Sequence, residues 1–103
     1  MKIMSLHRRE GLVRLARRYD ALIITDDVYD FLQWPSAPDA TLPHPDRAPM
    51  ARLVDVDRYL DNGPAHEWGN AVSNGSFSKI IAPGIRTGWT ESTAKFAYGL
   101  SQV

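Results

Sequence analysis

Cysteine is absent from the 103-residue chain. Its absence excludes disulfide bonds, thiol catalysis and cysteine-based zinc sites together. An excess of either charge is also absent, because 12 basic residues balance 12 acidic ones. Such a chain has no global electrostatic field that would favour nucleic acid or a membrane surface as a partner, and we expect neither. The composition is compatible with the cytoplasm, which is the location that we expect.

Long apolar runs and the common ligand-binding motifs are missing as well. No stretch approaches 18 apolar residues, and the N-terminus has no charged-then-apolar leader with a small-residue cleavage site. The histidines are isolated in the sequence, so we expect no metal site. Neither a Gly-x-Gly-x-x-Gly nor a Walker-type loop is present. A hydrophobic fraction of 44% and the length of one small domain predict a soluble, globular chain.

The first quarter of the chain has the pattern of a helix followed by a strand. Residues 5–19 predict a helix with Ser5 as its N-cap. Its apolar positions recur at helical spacing and should face the core: Leu12, Leu15, Ala16 and Tyr19. The other face carries arginines that we interpret as solvated: Arg8, Arg9, Arg14, Arg17 and Arg18. Residues 21–25 predict a strand buried on both faces of a parallel sheet, and hence an α/β fold.

The rest of the chain predicts shorter elements. We expect a proline-rich loop at 35–49 and a turn at 61–64. The segment between them, 52–60, is either a short strand followed by a turn or a helix. Two strands should follow, at 71–73 and 86–91, and then a helix capped by Ser92 or Thr93. Five of the seven prolines lie in the loop, which excludes a helix there. Phe31, Leu32 and Trp34 precede it and are interpreted as core residues.

A lysine among hydroxyls, a turn and an arginine makes the most informative stretch of the sequence. The apolar neighbours of Lys79 should desolvate its amine, which favours the neutral form that attacks a carbonyl. Ser76 and Ser78 can donate hydrogen bonds to phosphate, and Arg86 can pair with phosphate in two parallel bonds. Residues 82–84 (Ala-Pro-Gly) predict a type II turn, with positive φ at the glycine, that returns the arginine to the lysine. The stretch therefore predicts a site for a phosphorylated aldehyde.

A second candidate group follows the first predicted strand directly. It contains Asp26, Asp27 and Tyr29, at the carboxyl end of the strand, where open α/β sheets bind their ligands. Taken alone, two aspartates after a strand are more typical of a turn cap than of a ligand site. Both interpretations remain open from these residues alone.

The lysine stretch carries a resemblance to a known family. Its pattern, Ser-x-Ser-Lys-x-x-x-Pro-Gly-x-Arg-x-Gly-Trp, resembles the cofactor-lysine segment of the class I/II aminotransferases, fold type I enzymes that depend on pyridoxal 5'-phosphate (PLP). Several positions match at fixed spacing. The resemblance implies that Lys79 is the catalytic residue that forms a Schiff base with PLP. It also implies that Ser76, Ser78 and Arg86 bind the phosphate of the cofactor.

The same resemblance assigns roles to the group after the first strand. An Asp-x-x-Tyr unit at this place implies that Asp26 binds the pyridinium nitrogen and that Tyr29 binds the phenolic oxygen of the ring. The three-residue spacing selects Asp26 rather than Asp27. A carboxylate beside the ring nitrogen keeps it protonated, and the protonated ring withdraws electrons from the reacting carbon. The amino-acid sequences of the segment after the first strand and of the lysine stretch are most similar to the 2-aminoadipate and aromatic aminotransferase-like branch of the family.

The resemblance also implies a fold, a reaction and partners. Residues 1–103 would be the middle of the large PLP-binding domain, a three-layer α/β/α arrangement with a mostly parallel sheet. The reaction would be transamination between an amino acid and a 2-oxo acid, carried out by a homodimeric parent enzyme. The family's Asn-Pro-x-Gly segment and its small domain are not in the sequence. We expect the isolated chain to be inactive, because a parallel sheet that lacks most of its strands leaves edges and apolar faces uncovered. The alternative is a catalytically inactive truncated remnant or interaction piece.

A different enzyme class also fits part of the lysine stretch. Ser76 and Lys79 satisfy Ser-x-x-Lys, the nucleophile signature of penicillin-recognising acyl-transfer enzymes. That motif needs a helix to place serine and lysine on one face, and Pro83 would end such a helix after four residues. The companion Ser-Asp-Asn and Lys-Thr-Gly elements are also missing. Acyl transfer is therefore the weaker interpretation.

Overall fold

The computed structural model describes residues 3–32 and 50–103. Its helices and strands are, in chain order, α1 (Leu6–Arg18), β1 (Ile23–Asp26), α2 (Leu53–Tyr59), β2 (Ala71–Ser76), β3 (Gly88–Glu91) and α3 (Ala94–Ser101). The described ranges also contain single 3₁₀ turns at Leu60–Asn62, Phe77–Lys79 and Pro83–Ile85. The predicted α/β class is confirmed. The predicted loop at 35–49 and the predicted core residue Trp34 lie outside the described residues.

The described strands form one small mixed sheet in the order β1-β2-β3. Strands β1 and β2 run parallel, with Ile23 opposite Ala71, whereas β2 and β3 run antiparallel, with Ser76 opposite Gly88. A parallel pair needs a crossover connection, and α2 lies in the crossover between β1 and β2. The carboxyl ends of β1 and β2 therefore meet at one edge of the sheet.

A small apolar core joins α1 and α2 to one face of the sheet. Its members are buried Val13, Leu53, Val56 and Ala71, with Leu12, Ile23 and Leu60 packed around them. By contrast, Leu15 is 51% exposed and Tyr19 is 69% exposed. The prediction that these two residues face the core is wrong, because α2 packs against the side of α1 that carries Val13.

Strand β1 is covered on one face only, as far as residues 3–32 and 50–103 show. Ile23 packs against the core, whereas the next residue, Ile24, is 64% exposed. Successive side chains point to opposite faces of a strand, and α1 and α2 cover the face of Ile23. The prediction of a strand buried on both faces is therefore wrong for this part of the molecule. β1 is also an edge strand of the described sheet.

Arginines of the predicted solvated face of α1 form hydrogen bonds with the segment that contains α2. Arg9 donates a hydrogen bond to the carbonyl oxygen of Ala51 at 2.7 Å. Arg14 pairs with the carboxylate of Asp61 at 3.1 and 3.2 Å. Arg17 also turns inwards, and its side chain is nearly buried. The prediction of a solvated basic face is therefore wrong for Arg17, whereas Arg14 stays exposed while it pairs with Asp61.

Arg17 enters a buried polar network centred on Asp57, which is only 2% exposed. One carboxylate oxygen of Asp57 accepts two hydrogen bonds from Arg17, at 3.1 and 3.2 Å. The other oxygen accepts the backbone N–H of Asn70 at 2.7 Å, and the Asn70 side chain donates to the carbonyl of Ala21 at 2.9 Å. A buried charge is tolerated when it is paired and hydrogen-bonded in this way. The network connects both helices to the segments that enter β1 and β2.

The uncertain segment 52–60 is helical. The backbone N–H of Arg52 donates to the carboxylate of Asp55 at 2.9 Å, which stabilises the first turn of α2. The guanidinium groups of Arg52 and Arg58 both bind Glu91 of β3, at 2.8 and 2.9 Å. These ion pairs hold α2 on the same face of the sheet as the core.

Most of the other predicted element ends agree with the structure. Ser5 is the N-cap of α1, and Thr93 is the N-cap of α3. The turn at 61–64 is present, with positive φ at its first three residues. Strand β2 begins at Ala71 as predicted, although it is longer than the three residues expected. Strand β3 begins at Gly88, two residues later than predicted.

The buried network gives a stability prediction. Asp57→Asn removes the negative charge and leaves the guanidinium of Arg17 buried without its partner. We expect the free energy of unfolding to fall by about 3 kcal/mol, the usual result of breaking a buried ion pair from one side. Urea denaturation followed by circular dichroism measures this change.

The matched control is Asp61→Asn, which breaks the exposed pair with Arg14. We expect the urea midpoint of this variant to stay close to that of the unchanged chain, because exposed ion pairs contribute little. Equal losses in the two variants would show that burial of the Asp57 pair has no special role.

Candidate functional site

The parallel register of β1 and β2 brings the two predicted site segments to one edge of the sheet. The Cα of Asp26 pairs with that of Asn74, two residues before Ser76. The backbone N–H of Asp27 continues the pairing by donating to the carbonyl of Asn74 at 2.8 Å. The turn that carries Tyr29 and the turn that carries Lys79 therefore both begin at this edge.

The two adjacent aspartates have different surroundings. The carboxylate of Asp27 accepts hydrogen bonds from the hydroxyl of Thr25, at 2.5 Å, and from the hydroxyl of buried Ser73. Asp26 lies on the opposite face of the strand and is exposed. Asp27 therefore fastens the end of β1 to β2, whereas the carboxylate of Asp26 is accessible to a ligand.

Tyr29 lies in the turn that follows β1. The N–H of Asp30 donates to the carbonyl of Asp27 at 3.3 Å, and the N–H of Leu32 donates to the carbonyl of Tyr29 at 2.9 Å. Tyr29 is 49% exposed and lies three residues after the end of β1 at Asp26. Contact of its hydroxyl with the phenolic oxygen of the cofactor stays a prediction.

The lysine turn is one turn of 3₁₀ helix. The hydroxyl of Ser76 accepts the backbone N–H of Ser78 at 3.1 Å and so caps the turn. The amine of Lys79 is exposed, and Ile81 is 64% exposed. The predicted desolvation of the amine by apolar neighbours is therefore wrong within the described ranges. A single 3₁₀ turn also lacks the helix that the Ser-x-x-Lys interpretation requires.

The chain reverses after the lysine by a different turn from the one predicted. Pro83–Ile85 forms a 3₁₀ turn, and positive φ occurs at Arg86, at 53°, instead of at Gly84. The type II prediction is therefore wrong. A left-handed residue cannot continue a strand, which explains why β3 begins two residues later than expected.

The β2–β3 hairpin returns Arg86 to the lysine turn. The N–H of Phe77 donates to the carbonyl of Thr87 at 3.1 Å, next to the arginine. The rings of Phe77 and Trp89 pack with centroids 4.9 Å apart and planes tilted by 56°. Arg86 is exposed and touches only the carbonyl of Pro83, at 3.4 Å, among the described hydrogen bonds. The backbone next to Arg86 thus returns to the lysine turn, and binding of phosphate by its guanidinium stays a prediction.

Two polar residues at this edge were not predicted. Asn74 lies directly between Asp26 and Thr90 in the sheet register, and the hydroxyl of Thr90 donates to the side-chain oxygen of Asn74 at 3.0 Å. Cross-strand partners share a face of the sheet, so the three side chains form a polar row on the open face. Only the register could have shown this row, because Thr90 is 64 residues from Asp26 in sequence.

The clearest depression of the surface lies elsewhere. Leu22, His66, Trp68 and Phe96 line it, near the amino ends of β1 and β2. None of the predicted site residues borders this depression. The residues that the sequence predicted follow the carboxyl ends of β1 and β2, so this edge, with Asp26 and Lys79, is the candidate site.

Residues 3–32 and 50–103 contain no group of three His, Cys, Asp or Glu side chains placed to hold a metal ion. In the same two ranges, no helix is both long and apolar enough to cross a membrane.

Comparison with known proteins agrees with the resemblance of the lysine stretch. The chain is 46% identical over 99 residues to an uncharacterised protein of Saccharomyces cerevisiae, with 95% of this chain and 21% of the relative covered. It is 34% identical over 103 residues to an L-tyrosine:2-oxoglutarate aminotransferase of Tapinella panuoides, with coverages of 91% and 18%. It is 32% identical over 104 residues to an aromatic amino acid aminotransferase of Schizosaccharomyces pombe, with coverages of 97% and 21%. No family model and no solved structure matches.

The described residues form an α/β segment in which the predicted site residues follow the carboxyl ends of two parallel strands. The chain is homologous to the aminotransferases, and the predicted resemblance is confirmed. It spans about one fifth of the length of the curated relatives that it matches.

The close approach of Gly75 in β2 to Trp89 in β3 gives a second prediction. A Cβ atom built on Gly75 would overlap the indole ring of Trp89, whereas a Cβ on Gly84 would meet nothing within 4 Å. Gly75→Ala should therefore lower the free energy of unfolding by about 1–3 kcal/mol, the usual effect of overpacking. Urea denaturation followed by circular dichroism measures the loss.

The control in the same segment is Gly84→Ala, which should leave the midpoint unchanged. A Trp89→Ala background removes the overlapping ring, so Gly75→Ala should be nearly neutral there. Loss of stability in that background would show that the contact with Trp89 does not explain the need for glycine at residue 75.

Proposed function

We propose that this chain supplies the cofactor-binding part of a PLP-dependent aminotransferase, which exchanges an amino group between an amino acid and a 2-oxo acid. The observation that supports the proposal is the parallel register that pairs Asp26 with Asn74, because the chain leaves β2 two residues later for the turn that contains Lys79. The homology to aminotransferases supports the reaction class.

The side chains at the edge have the chemistry that PLP requires. The exposed carboxylate of Asp26 suits the protonated ring nitrogen, and the hydroxyl of Tyr29 suits the phenolic oxygen. The phosphate is a dianion, for which the accessible guanidinium of Arg86 and the hydroxyls of Ser76 and Ser78 are fitting donors. The amine of Lys79 is accessible to the aldehyde. The residues present therefore fit the cofactor.

Each residue has a stated task in the proposed reaction. When bound, PLP supplies an electron sink for the electrons released at the substrate Cα. Lys79 holds the cofactor through its amine and, once displaced by substrate, serves as the base that moves the Cα proton. Asp26 keeps the proton on the ring nitrogen throughout. Two of the relatives are named for aromatic amino acids or tyrosine, so aromatic donors are the first substrates to test in a full-length enzyme.

A second candidate is an inactive remnant that retains the lysine motif. The open face of β1, with Ile24 exposed, favours it, because an uncovered strand edge and face destabilise an isolated sheet. Under this hypothesis the 103-residue chain either binds another protein or has no binding partner, and the lysine motif has no catalytic role. Cofactor attachment separates the two candidates.

The test of cofactor attachment uses the three lysines of the chain. Mixing the chain with PLP, reducing with borohydride and mapping the peptides should place the pyridoxyl group on Lys79 and leave Lys2 and Lys95 unlabelled. Lys79→Ala should abolish the label. The matched control, Lys95→Ala, removes an exposed lysine that pairs with Glu67 and should label normally. Equal labelling of all lysines, or none at all, would reject the proposal.

The role of Asp26 has its own test. Asp26→Asn removes the charge that matches the ring nitrogen, so we expect PLP to bind about tenfold more weakly, equivalent to about 1.4 kcal/mol. Absorbance titration of PLP measures the dissociation constant. Asp20→Asn is the control, since Asp20 is an exposed aspartate near the other end of β1. An unchanged dissociation constant for Asp26→Asn would remove this residue from the site.

A further inference from the structure

Asp27 follows β1 directly and makes contacts that the proposed reaction does not use. Its Oδ2 atom accepts a hydrogen bond from the hydroxyl of Thr25, at 2.5 Å, and another from the hydroxyl of Ser73. Its backbone N–H donates to the carbonyl of Asn74 at 2.8 Å. One residue is therefore bonded to β2 through both its side chain and its backbone.

The two hydroxyls come from residues that lie opposite each other in the parallel pair. The Cα atoms of Thr25 and Ser73 are register partners, and the next pair along the strands is Asp26 with Asn74. A slip of β1 by one residue would place Val72 or Asn74 opposite Thr25, and neither of these side chains has a hydroxyl. A single carboxylate oxygen that accepts from both hydroxyls therefore favours the observed register.

Burial makes these hydrogen bonds costly to lose. Ser73 is fully buried, at 0% exposed, and the described hydrogen bonds give its hydroxyl no acceptor other than Asp27. The hydroxyl of Thr25 also lies 3.2 Å from the carbonyl oxygen of Val72, which is a second acceptor for it. A buried hydroxyl that loses its acceptor keeps the cost of its desolvation. Removal of the Asp27 carboxylate should therefore disturb Ser73 more than Thr25.

The contacts of Asp27 bear on the position of the residue before it. Asp26 points to the open face of the sheet, and both of its neighbours in sequence are bonded to β2. The chain leaves β2 at Ser76, two residues after the partner of Asp26, for the turn that contains Lys79. Fixing Asp27 on β2 thus also fixes how far the backbone of Asp26 lies from the start of the lysine turn.

We propose that Asp27, with Ser73 and Thr25, is a positioning residue that sets the place of Asp26 relative to the lysine turn. The part that concerns the cofactor rests on the proposed function. Alternation along the strand puts the Asp27 side chain on the side of Ile23, which packs against the core, so Asp27 does not touch a cofactor on the open face. Its effect on cofactor binding passes through Asp26.

The first experiment uses the chain without cofactor. Hydrogen exchange followed by NMR compares the backbone amide at residue 27, which bonds to Asn74, with that of Ile23, which bonds to Asn70 at the other end of the strand. Asp27→Ala should lower the protection of the amide at residue 27 roughly tenfold and that of Ile23 much less. Equal losses at both amides, or no loss at residue 27, would overturn the positioning role.

A conservative substitution separates hydrogen bonding from charge. Asp27→Asn keeps a side-chain oxygen that can accept both hydroxyls, so the amide at residue 27 should stay protected. If Asp27→Asn loses as much protection as Asp27→Ala, the charge and not the hydrogen bonds is responsible, and the inference is rejected.

Removal of one donor tests the same contact from β2. Ser73→Ala deletes a buried hydroxyl with little change of volume, and it should lower the protection of the amide at residue 27 in the same direction as Asp27→Ala. The matched control is Ser101→Ala, which deletes an exposed hydroxyl that donates to the carbonyl of Tyr98 in α3 and should change neither amide. If Asp27→Ala fails to fold, full protection of residue 27 in Ser73→Ala still overturns the inference.

The second experiment measures the dissociation constant of PLP by absorbance titration. Asp27→Ala should weaken binding roughly fivefold, whereas Asp27→Asn should bind like the unchanged chain. In an Asp26→Asn background the ring-nitrogen contact is already lost, so Asp27→Ala should have little further effect. A merely structural role would give the same loss in both backgrounds, and that result would reject the coupling of Asp27 to Asp26.

The outcomes separate this inference from the proposed function. Failure of PLP to label Lys79 rejects the proposed function, and the amide exchange of the cofactor-free chain still tests the role of Asp27. Normal labelling of Lys79 together with unchanged amide protection in Asp27→Ala rejects the inference and leaves the proposed function in place.

Discussion

A buried carboxylate holds the described structure together. Asp57 binds the guanidinium of Arg17 with one oxygen and the backbone of Asn70 with the other. Through these contacts it sets the position of both helices relative to the start of β2. Asn70 lies directly before β2, and its side chain donates to the carbonyl of Ala21 before β1, so the network also joins the segments that enter the parallel pair. The candidate site lies at the other end of this parallel register.

The site follows from that register rather than from any single motif. Parallel pairing of β1 and β2 brings Asp26 next to the strand that leads into the lysine turn, and the β2–β3 hairpin returns Arg86 to the same place. The face of the sheet opposite the helices stays open, with Asp26, Asn74 and Thr90 in one polar row. We propose that a flat, charged cofactor binds on this accessible polar face, and the homology to aminotransferases supports the proposal.

The adjacent aspartates divide two tasks between them. Asp26 points to the open face, where a ligand can reach it, whereas Asp27 points towards β2 and holds the hydroxyls of Thr25 and Ser73. Alternation along the strand places neighbouring side chains on opposite faces, so one acid can bind a ligand while the next stabilises the strand end.

The sequence by itself determined the α/β class, the helix cap at Ser5, a further cap at Ser92 or Thr93, and the lysine motif, because these depend on local spacing and residue type. It misjudged Leu15 and Tyr19, since helical periodicity does not tell which of two apolar sides meets a partner helix. Two further predictions were wrong, the solvated side chain of Arg17 and the type II turn before Arg86. In both cases contacts with residues more distant in sequence decided the result. Only the tertiary structure could place Asp26 beside Asn74 and pair Asp57 with Arg17, because pairing across 40 or more residues depends on register and packing rather than on neighbours in sequence.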